Sequence, residues 1–422
     1  MKIDCHCHVF NNDCIPSIAL LQSRLGIVIG ENFFKAINEH STNGHKAFLD
    51  NFLREFFLDL ISLNSSFTSS TEKDNLLYLA SHPRDFIRFI YTGIKSMPDI
   101  VANMMEKAPG IDIWVPLMMD TESAYEGDFS QTDFEEQKQI MMDITAKEKG
   151  RIMPFFAYDP RSRPIDSVKT AIERDGFVGV KLYPPMGFKP FGNDDHMVES
   201  RLDELYSYCT LKRDAPIPIT AHCSWSDGIY SNRMVPDVLN YKEFYRDMAN
   251  PSYWKEVLSK YSTLKLNLAH FGGASEWEQR SNSLPSRAKD KNWAETILQL
   301  MRDYKNVYTD LSFNGILVSK NGSGFRKALL DMIKGVEDRI LLGSDWYMSG
   351  IQCDLGDYWK NFTLAFPELF DFMVGKNAIR FLQSEATQTF FPAYLNSRNG
   401  IGQNLNLSDC FNKEEFLERC SY

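Results

Sequence analysis

Short apolar runs rich in β-branched residues recur along the chain, each meeting a polar residue near its end and then a stretch of helical spacing. They read KIDCHCHVF at 2–10, GIDIWVPLMMD at 110–120, GRIMPFFAYDP at 150–160 and FVGVKLYPP at 177–185. IPITAHCS at 217–224, TLKLNLAHFGG at 263–273, NVYTDLSF at 306–313 and RILLGSDWY at 339–347 complete the series. After the second run they return every 25–50 residues or so, roughly the spacing of βα units. Continuously apolar strands with helices between them predict a parallel sheet covered on both faces. Eight such units predict an α/β fold of the (β/α)8 TIM-barrel kind.

The intervening helices carry start signals. In NPSYWKEVLSKY, Asn250 is placed to cap a helix and Pro251 to open it. NWAETILQLMRDY at 292–304 lines Ile297, Leu298, Met301 and Tyr304 along one face. Residues 11–109 are too many for a simple loop after the first strand and predict an insertion. Leu49, Phe52, Leu53, Phe56, Phe57, Leu60 and Ile61 follow helical periodicity there, as do Phe33, Phe34 and Ile37. Thr71–Asp74 resembles a capping box. The predicted organisation is a barrel from 1–10 and 110–385, a helical insertion at 11–109, and a C-terminal extension at 386–422 packed on the barrel.

Composition narrows the class of function. With 422 residues, 43% hydrophobic and 24% charged, the chain can bury a large core. A net charge of −10 argues against nucleic acid as a partner and says little about a small-molecule substrate, which is the partner expected from the site residues. No run has the length of a membrane span. The start MKIDCHCHVF lacks the apolar core of a secretory signal, so the expected location is cytoplasmic. The eight cysteines form no CxxC pair and read as free, largely buried thiols.

DCHCH at 4–8 leaves open a metal-binding strand, a redox cysteine pair or coincidence. Alternation along a strand puts His6 and His8 on one face and Cys5, Cys7 and Val9 on the other. The histidines can therefore meet one ion, while the cysteines pack as small hydrophobes. His222, His270 and Asp345 fall near the carboxyl ends of their runs, and Lys181 ends another. Those ends line the mouth of such a barrel. Taken singly, each has a bland reading as a core histidine, a turn aspartate or a solvent-reaching lysine. Their common position at strand ends is what points to a site. His40, His45, His82 and His196 lie in helix or loop context and read as structural. Imidazoles with one carboxylate suit zinc and similar divalent ions and leave room for an activated water.

IDCHCH, ITAHCS, LAHFGG and LLGSDWY, in this order, resemble the amidohydrolase superfamily, specifically its amidohydrolase-related branch of TIM-barrel hydrolases and decarboxylases. NVYTDLSF and VGKNAIRFL at 374–382 are similar to that branch as well. The resemblance implies His6, His8, His222 and Asp345 as ligands of one Zn2+ or another divalent ion, one rather than two. It implies Asp345 as the proton acceptor and His270 as the neighbouring acid/base. GVKLYPP also resembles the segment that carries a carboxylated, metal-bridging lysine in binuclear members, so Lys181 is a ligand only in that case. Tyr183 at a strand end, and Trp225 and Arg233 on the loop CSWSDGIYSNRM, are candidates for contacting substrate, Arg233 by clamping a carboxylate.

The resulting expectation is a metal-dependent hydrolase using a metal-activated water on an ester, lactone or amide of a small carboxylate-bearing molecule. The alternative on the same ligands is non-oxidative decarboxylation of an aromatic or unsaturated acid. A third is a barrel that binds a metabolite without catalysis. Homo-oligomerisation through the insertion is an option by analogy with the family.

Overall fold

The structure, a computed structural model, describes residues 1–15, 89, 91–125, 130, 132–210, 215–225, 228–231, 233–235, 238, 240–281, 292–318, 323–384 and 386–387. Each apolar run carries a strand. These are β1 (Ile3–Cys7), β2 (Ile113–Pro116), β3 (Phe155–Ala157), β4 (Gly179–Leu182), β5 (Ile219–Ser224), β6 (Leu266–Gly272), β7 (Val307–Asp310) and β8 (Ile340–Leu341). β1 and β2 pair in parallel, and β3 to β8 pair in parallel in sequence order. Backbone hydrogen bonds join the two groups into a ring. On one side Trp114 N donates to Arg151 O (2.8 Å) and Met153 N to Trp114 O (2.9 Å). On the other Cys5 N donates to Leu342 O (3.1 Å) and Asp345 N to His6 O (2.7 Å). Closure removes the exposed edges an open sheet would leave.

Helices follow the strands as the spacing predicts. Phe134–Lys147 joins β2 to β3, Ile165–Glu173 joins β3 to β4, and His196–Thr210 joins β4 to β5. Asn250 accepts from Ser252 N and opens a 3-10 turn, Pro251–Tyr253, that runs into the helix Trp254–Lys260. Asn292 caps Trp293–Asp303 by accepting from Glu295 N, and Ile297, Leu298 and Met301 of that helix are buried. At the amino-terminal end of the barrel, the ammonium of Lys265 donates to the carbonyls of Arg380 and Gln383 and ties down the helix Ala378–Leu382.

Of the predicted insertion, a 3-10 turn at Asn12–Cys14 and the helix Met97–Lys107 are described. Phe33, Phe34, Ile37, the series Leu49 to Ile61 and the Thr71–Asp74 box lie outside the described residues, as does nearly all of 386–422. Among the described residues no helix is long and apolar enough to cross a membrane.

One close approach fixes the β8–β1 seam. A Cβ on Gly343 would sit 2.4 Å from the Cβ of His6 and 2.8 Å from its backbone nitrogen. Only glycine lets the two backbones come this near. Asp4 reinforces the seam, its Oδ1 accepting from His6 N (3.1 Å) and Ser344 N (3.0 Å).

Candidate metal centre and active-site cavity

At the carboxyl ends of the strands the backbone turns sharply. His270 (φ 66°) after β6 and Asp345 (φ 53°) after β8 both lie in the left-handed region. Non-glycine residues seldom adopt it, and they hold it where surrounding structure over-determines the turn. Here it brings both side chains to the mouth where β1 already presents His6 and His8.

The hydrogen bonds settle the tautomers of the β1 histidines. His8 Nδ1 lies 2.9 Å from the carbonyl of Leu117, which can only accept, so Nδ1 carries the proton. Its Nε2 lone pair then faces Asp345 Oδ1 at 3.0 Å. His6 Nδ1 lies 3.1 Å from Asp310 Oδ2 and 3.0 Å from Ser312 Oγ. Its Nε2 has no hydrogen-bond partner and stands 3.5 Å from the same Asp345 oxygen. Burial pushes the His6 imidazole down to about 3 against the pull of Asp310, so it is neutral at pH 7. Two imidazole lone pairs thus converge on an ionised carboxylate. A divalent cation shared by the three relieves that repulsion, and the donor set of two histidines and one aspartate suits zinc, manganese or a similar ion.

Behind this cluster runs a connected polar network. Asp310, at the end of β7, accepts from His6, from Asn267 Nδ2 (2.7 Å), from His270 N (3.1 Å) and from the Ser312 hydroxyl. With the Ser312 proton on Asp310, Ser312 Oγ accepts from His270 Nδ1 (2.9 Å). His270 Nε2 is then an acceptor, and His222 Nδ1 donates to it across 3.1 Å. Carboxylate, serine, His270 and His222 are linked in series. Such partners orient metal-binding imidazoles and set their basicity.

The structure therefore brings together His6, His8 and Asp345 as one group of donor atoms within 4.8 Å of one another. His6, His270 and Asp310 form a second such group, but the His6–Asp310 contact there uses the protonated nitrogen, which makes it support for the first. His222 belongs to neither and lies beyond His270. Lys181 is buried between β3 and β5, its Nζ without a hydrogen-bond partner. Burial lowers its ammonium to about 8, partly offset by Asp310 and Asp345. Tyr183 stacks on His222 with ring centroids 4.3 Å apart.

His8, Lys181, Tyr183, His222, His270 and Asp345 line a small cavity walled otherwise by Phe10, Met119, Gly228, Ile229, Phe313 and Met348. Arg233 and Trp225 stand outside this lining. Arg233 is exposed, its backbone held by Ser231 and Tyr245. Trp225 packs edge-on against Trp293 at 5.5 Å, under the guanidinium of Arg246. Cys5 and Cys7 are wholly buried on the other face of β1, and burial raises both thiols well above their ordinary range.

Sequence reasoning passed over Asp310, Ser312, Asn267 and Asp4. A signal was present, because each is a polar residue inside or at the end of an apolar strand: NVYTDLSF, LKLNLAH, KIDCHCH.

A family model described as amidohydrolase matches residues 3–383. The chain belongs to the amidohydrolase family. It is thereby one of a family of metal-dependent enzymes, and its ring of eight strands is the barrel of that family. An uncharacterised TIM-barrel protein from Bordetella bronchiseptica is similar at 17% identity, covering 72% of this chain and 92% of its own, with a TM-score of 0.44. A 2,6-dihydroxybenzoate decarboxylase is similar at 15% identity, with coverages of 76% and 94% and a TM-score of 0.44. A 5-carboxyvanillate decarboxylase from Novosphingobium aromaticivorans, complexed with manganese, is similar at 13% identity, with coverages of 78% and 92% and a TM-score of 0.47. No curated protein matches the chain.

Proposed function

We propose that this amidohydrolase is a metal-dependent decarboxylase of a planar aromatic or unsaturated carboxylic acid. The observation that carries the reading is Lys181, a buried amine without a hydrogen-bond partner on the wall of an aromatic-lined cavity that His8 and Asp345 of the His6–His8–Asp345 cluster also line. A carboxylate entering the cavity supplies the partner that the ammonium lacks, and it keeps the amine charged. No arginine lines this cavity among the described residues, so the anion falls to Lys181 and the ion. Bound by His6, His8 and Asp345, the ion would supply a fixed positive charge to orient an oxygen-bearing substrate.

The protein's own groups complete the reaction. Phe10, Tyr183 and Phe313 hold the ring and exclude water. The bond between the ring carbon and the carboxyl carbon breaks, CO2 leaves, and the electron pair stays on the ring carbon. That carbon takes a proton from the acid form of the His222–His270 pair, delivered at His222 Nε2. The pair recovers its proton from solvent. Asp345, held ionised, is not the acid.

A second reading, hydrolysis of an ester, lactone or amide, is favoured by one observation. Asp345 is an ionised base placed beside both β1 histidines, where it could take a proton from an attacking water.

The test is turnover in D2O by manganese-loaded protein of a panel of hydroxybenzoic acids. It begins with 2,6-dihydroxybenzoate and 5-carboxyvanillate, the acids in the names of two similar proteins, and adds aryl esters and lactones. The expected result is CO2 release with one deuteron on the carbon that lost it. Turnover of esters or lactones alone would move the assignment to hydrolysis.

A further inference from the structure

Outside the cavity, the short helix Tyr241–Asp247 carries an arginine that no acid neutralises. The guanidinium carbon of Arg246 stands 4.8 Å from the ring centroid of Trp225 and 5.7 Å from that of Tyr230. Its Nε donates to Tyr230 Oη across 3.5 Å, and among the described residues neither Nη meets an acceptor. Two other arginines around the mouth are paired. Arg161 forks onto Asp159, and Arg163 meets Asp120, Glu122 and Glu135. Asp247, the neighbour of Arg246 in sequence, accepts instead from Asn250 Nδ2 (3.0 Å) and Tyr253 Oη (3.1 Å). With 56 acidic residues against 46 basic ones, partners for a cation are plentiful in this chain. Stacking on rings accounts for the flat face of the guanidinium and leaves its Nη edge for a planar anion.

The position of Arg246 is at the way in. Trp225 directly follows β5, its backbone nitrogen donating to Gly272 O (2.8 Å) at the end of β6. Tyr230 follows Ile229, which walls the cavity. A Cβ on Gly228 would lie 3.0 Å from His222 Nε2 and 3.3 Å from Tyr230 Oη. The phenol that Arg246 touches is thus separated from the cavity by the width of one glycine. We infer that Arg246 is an entrance site, which captures the carboxylate of the incoming acid at the mouth and passes it to Lys181 inside. This rests on the carboxylate reading above and adds the route to it. A net charge of −10 repels an anion at long range, and one fixed cation at the mouth reverses that field locally.

Stopped-flow tryptophan fluorescence of benzoate binding to manganese-loaded protein tests this, at about 20 and 300 mM salt. Wild-type association should slow as salt rises, because screening weakens the capture. Arg246→Gln should slow association about 5-fold at low salt and flatten its salt dependence. Release should slow in step, because the seated acid rests on Lys181, so the dissociation constant moves by less than about 2-fold. Arg246→Lys, which keeps the charge, should keep the fast, salt-sensitive rate. Arg246→Met retains packing on Trp225 without the charge and replaces the glutamine variant should that fail to fold. An unchanged rate in a folded neutral variant, or a lysine variant as slow as the neutral one, would overturn the entrance site and leave the carboxylate reading standing. So would a dissociation constant that weakens in proportion to the rate, which would make Arg246 part of the seat. If benzoate does not bind the wild-type protein, the carboxylate reading itself is wrong, and this inference fails with it.

Discussion

Lys181 shows how a single residue takes its meaning from its surroundings. A lysine at the end of an apolar strand ordinarily reaches water. This one is 1% exposed and has no hydrogen-bond partner, which costs stability. Lys181→Met, of similar length and apolar, should lower benzoate affinity by 10-fold or more. The same change should stabilise the metal-free protein at pH 7 by about 3 kcal/mol, order of magnitude. Burial pushes the folded amine down to about 8, below its ordinary value of 10.5, so the unfolded chain binds more protons between those values. The penalty is full below pH 8 and fades as pH rises toward 10.5. The stability gap between variant and wild type should therefore close across that window. Denaturant melts of both proteins at pH 7, 9 and 10.5 measure it, and a constant gap would contradict the titration. Comparison with the variant cancels Lys265, whose burial lowers it to a similar value.

β1 is the element on which the site depends, and its register is decided twice. Its alternation sorts His6 and His8 from Cys5 and Cys7, and that much can be read locally. Its depth in the barrel is set at the seam with β8, where Gly343 lies against the backbone of His6. Gly343→Ala places a methyl group where the backbone cannot yield without moving the strand. The expected cost is about 1–3 kcal/mol of stability, as for overpacking generally. A drop in bound metal per chain should accompany it, because a shifted His6 no longer faces Asp345. Urea melts and elemental analysis read the two effects separately. A stable variant with full metal content would show that the seam tolerates a side chain. Elements that carry no chemistry were legible to similar depth. The Asn250 cap forms as its spacing predicts, because a cap is a bond between residues only two or three apart.

For the whole molecule, an ion held by His6, His8 and Asp345 would cross-link β1 to the loop after β8, the last seam of the ring. Removing it should leave His6, His8 and Asp345 mutually repelling in a buried place. At metal concentrations about 100-fold above the dissociation constant, binding stabilises the native state by roughly 2.7 kcal/mol. Chelation should therefore lower the melting temperature by several degrees and readdition restore it, with about one ion per chain at saturation. Two ions per chain would instead indicate carboxylated Lys181 bridging a binuclear centre, and no thermal response would argue against an ion at the seam.

By itself, the sequence determined what depends on near neighbours. Period-two alternation assigns the faces of β1, apolar runs mark the strands, and their count and spacing call for a barrel. Residue types at strand ends named His6, His8, His222, His270 and Asp345 because a parallel barrel gathers those ends at one mouth. Ring closure decided the rest. It put Asp310 against His6 across 304 positions of sequence and made it the acceptor that fixes the imidazole tautomer. It buried Lys181 without a partner, set Arg233 on the exterior and joined His222 to His270. Such pairings depend on strand tilt, register and the left-handed turns at His270 and Asp345. These are consequences of closing eight strands into one ring, and no local stretch of sequence contains them.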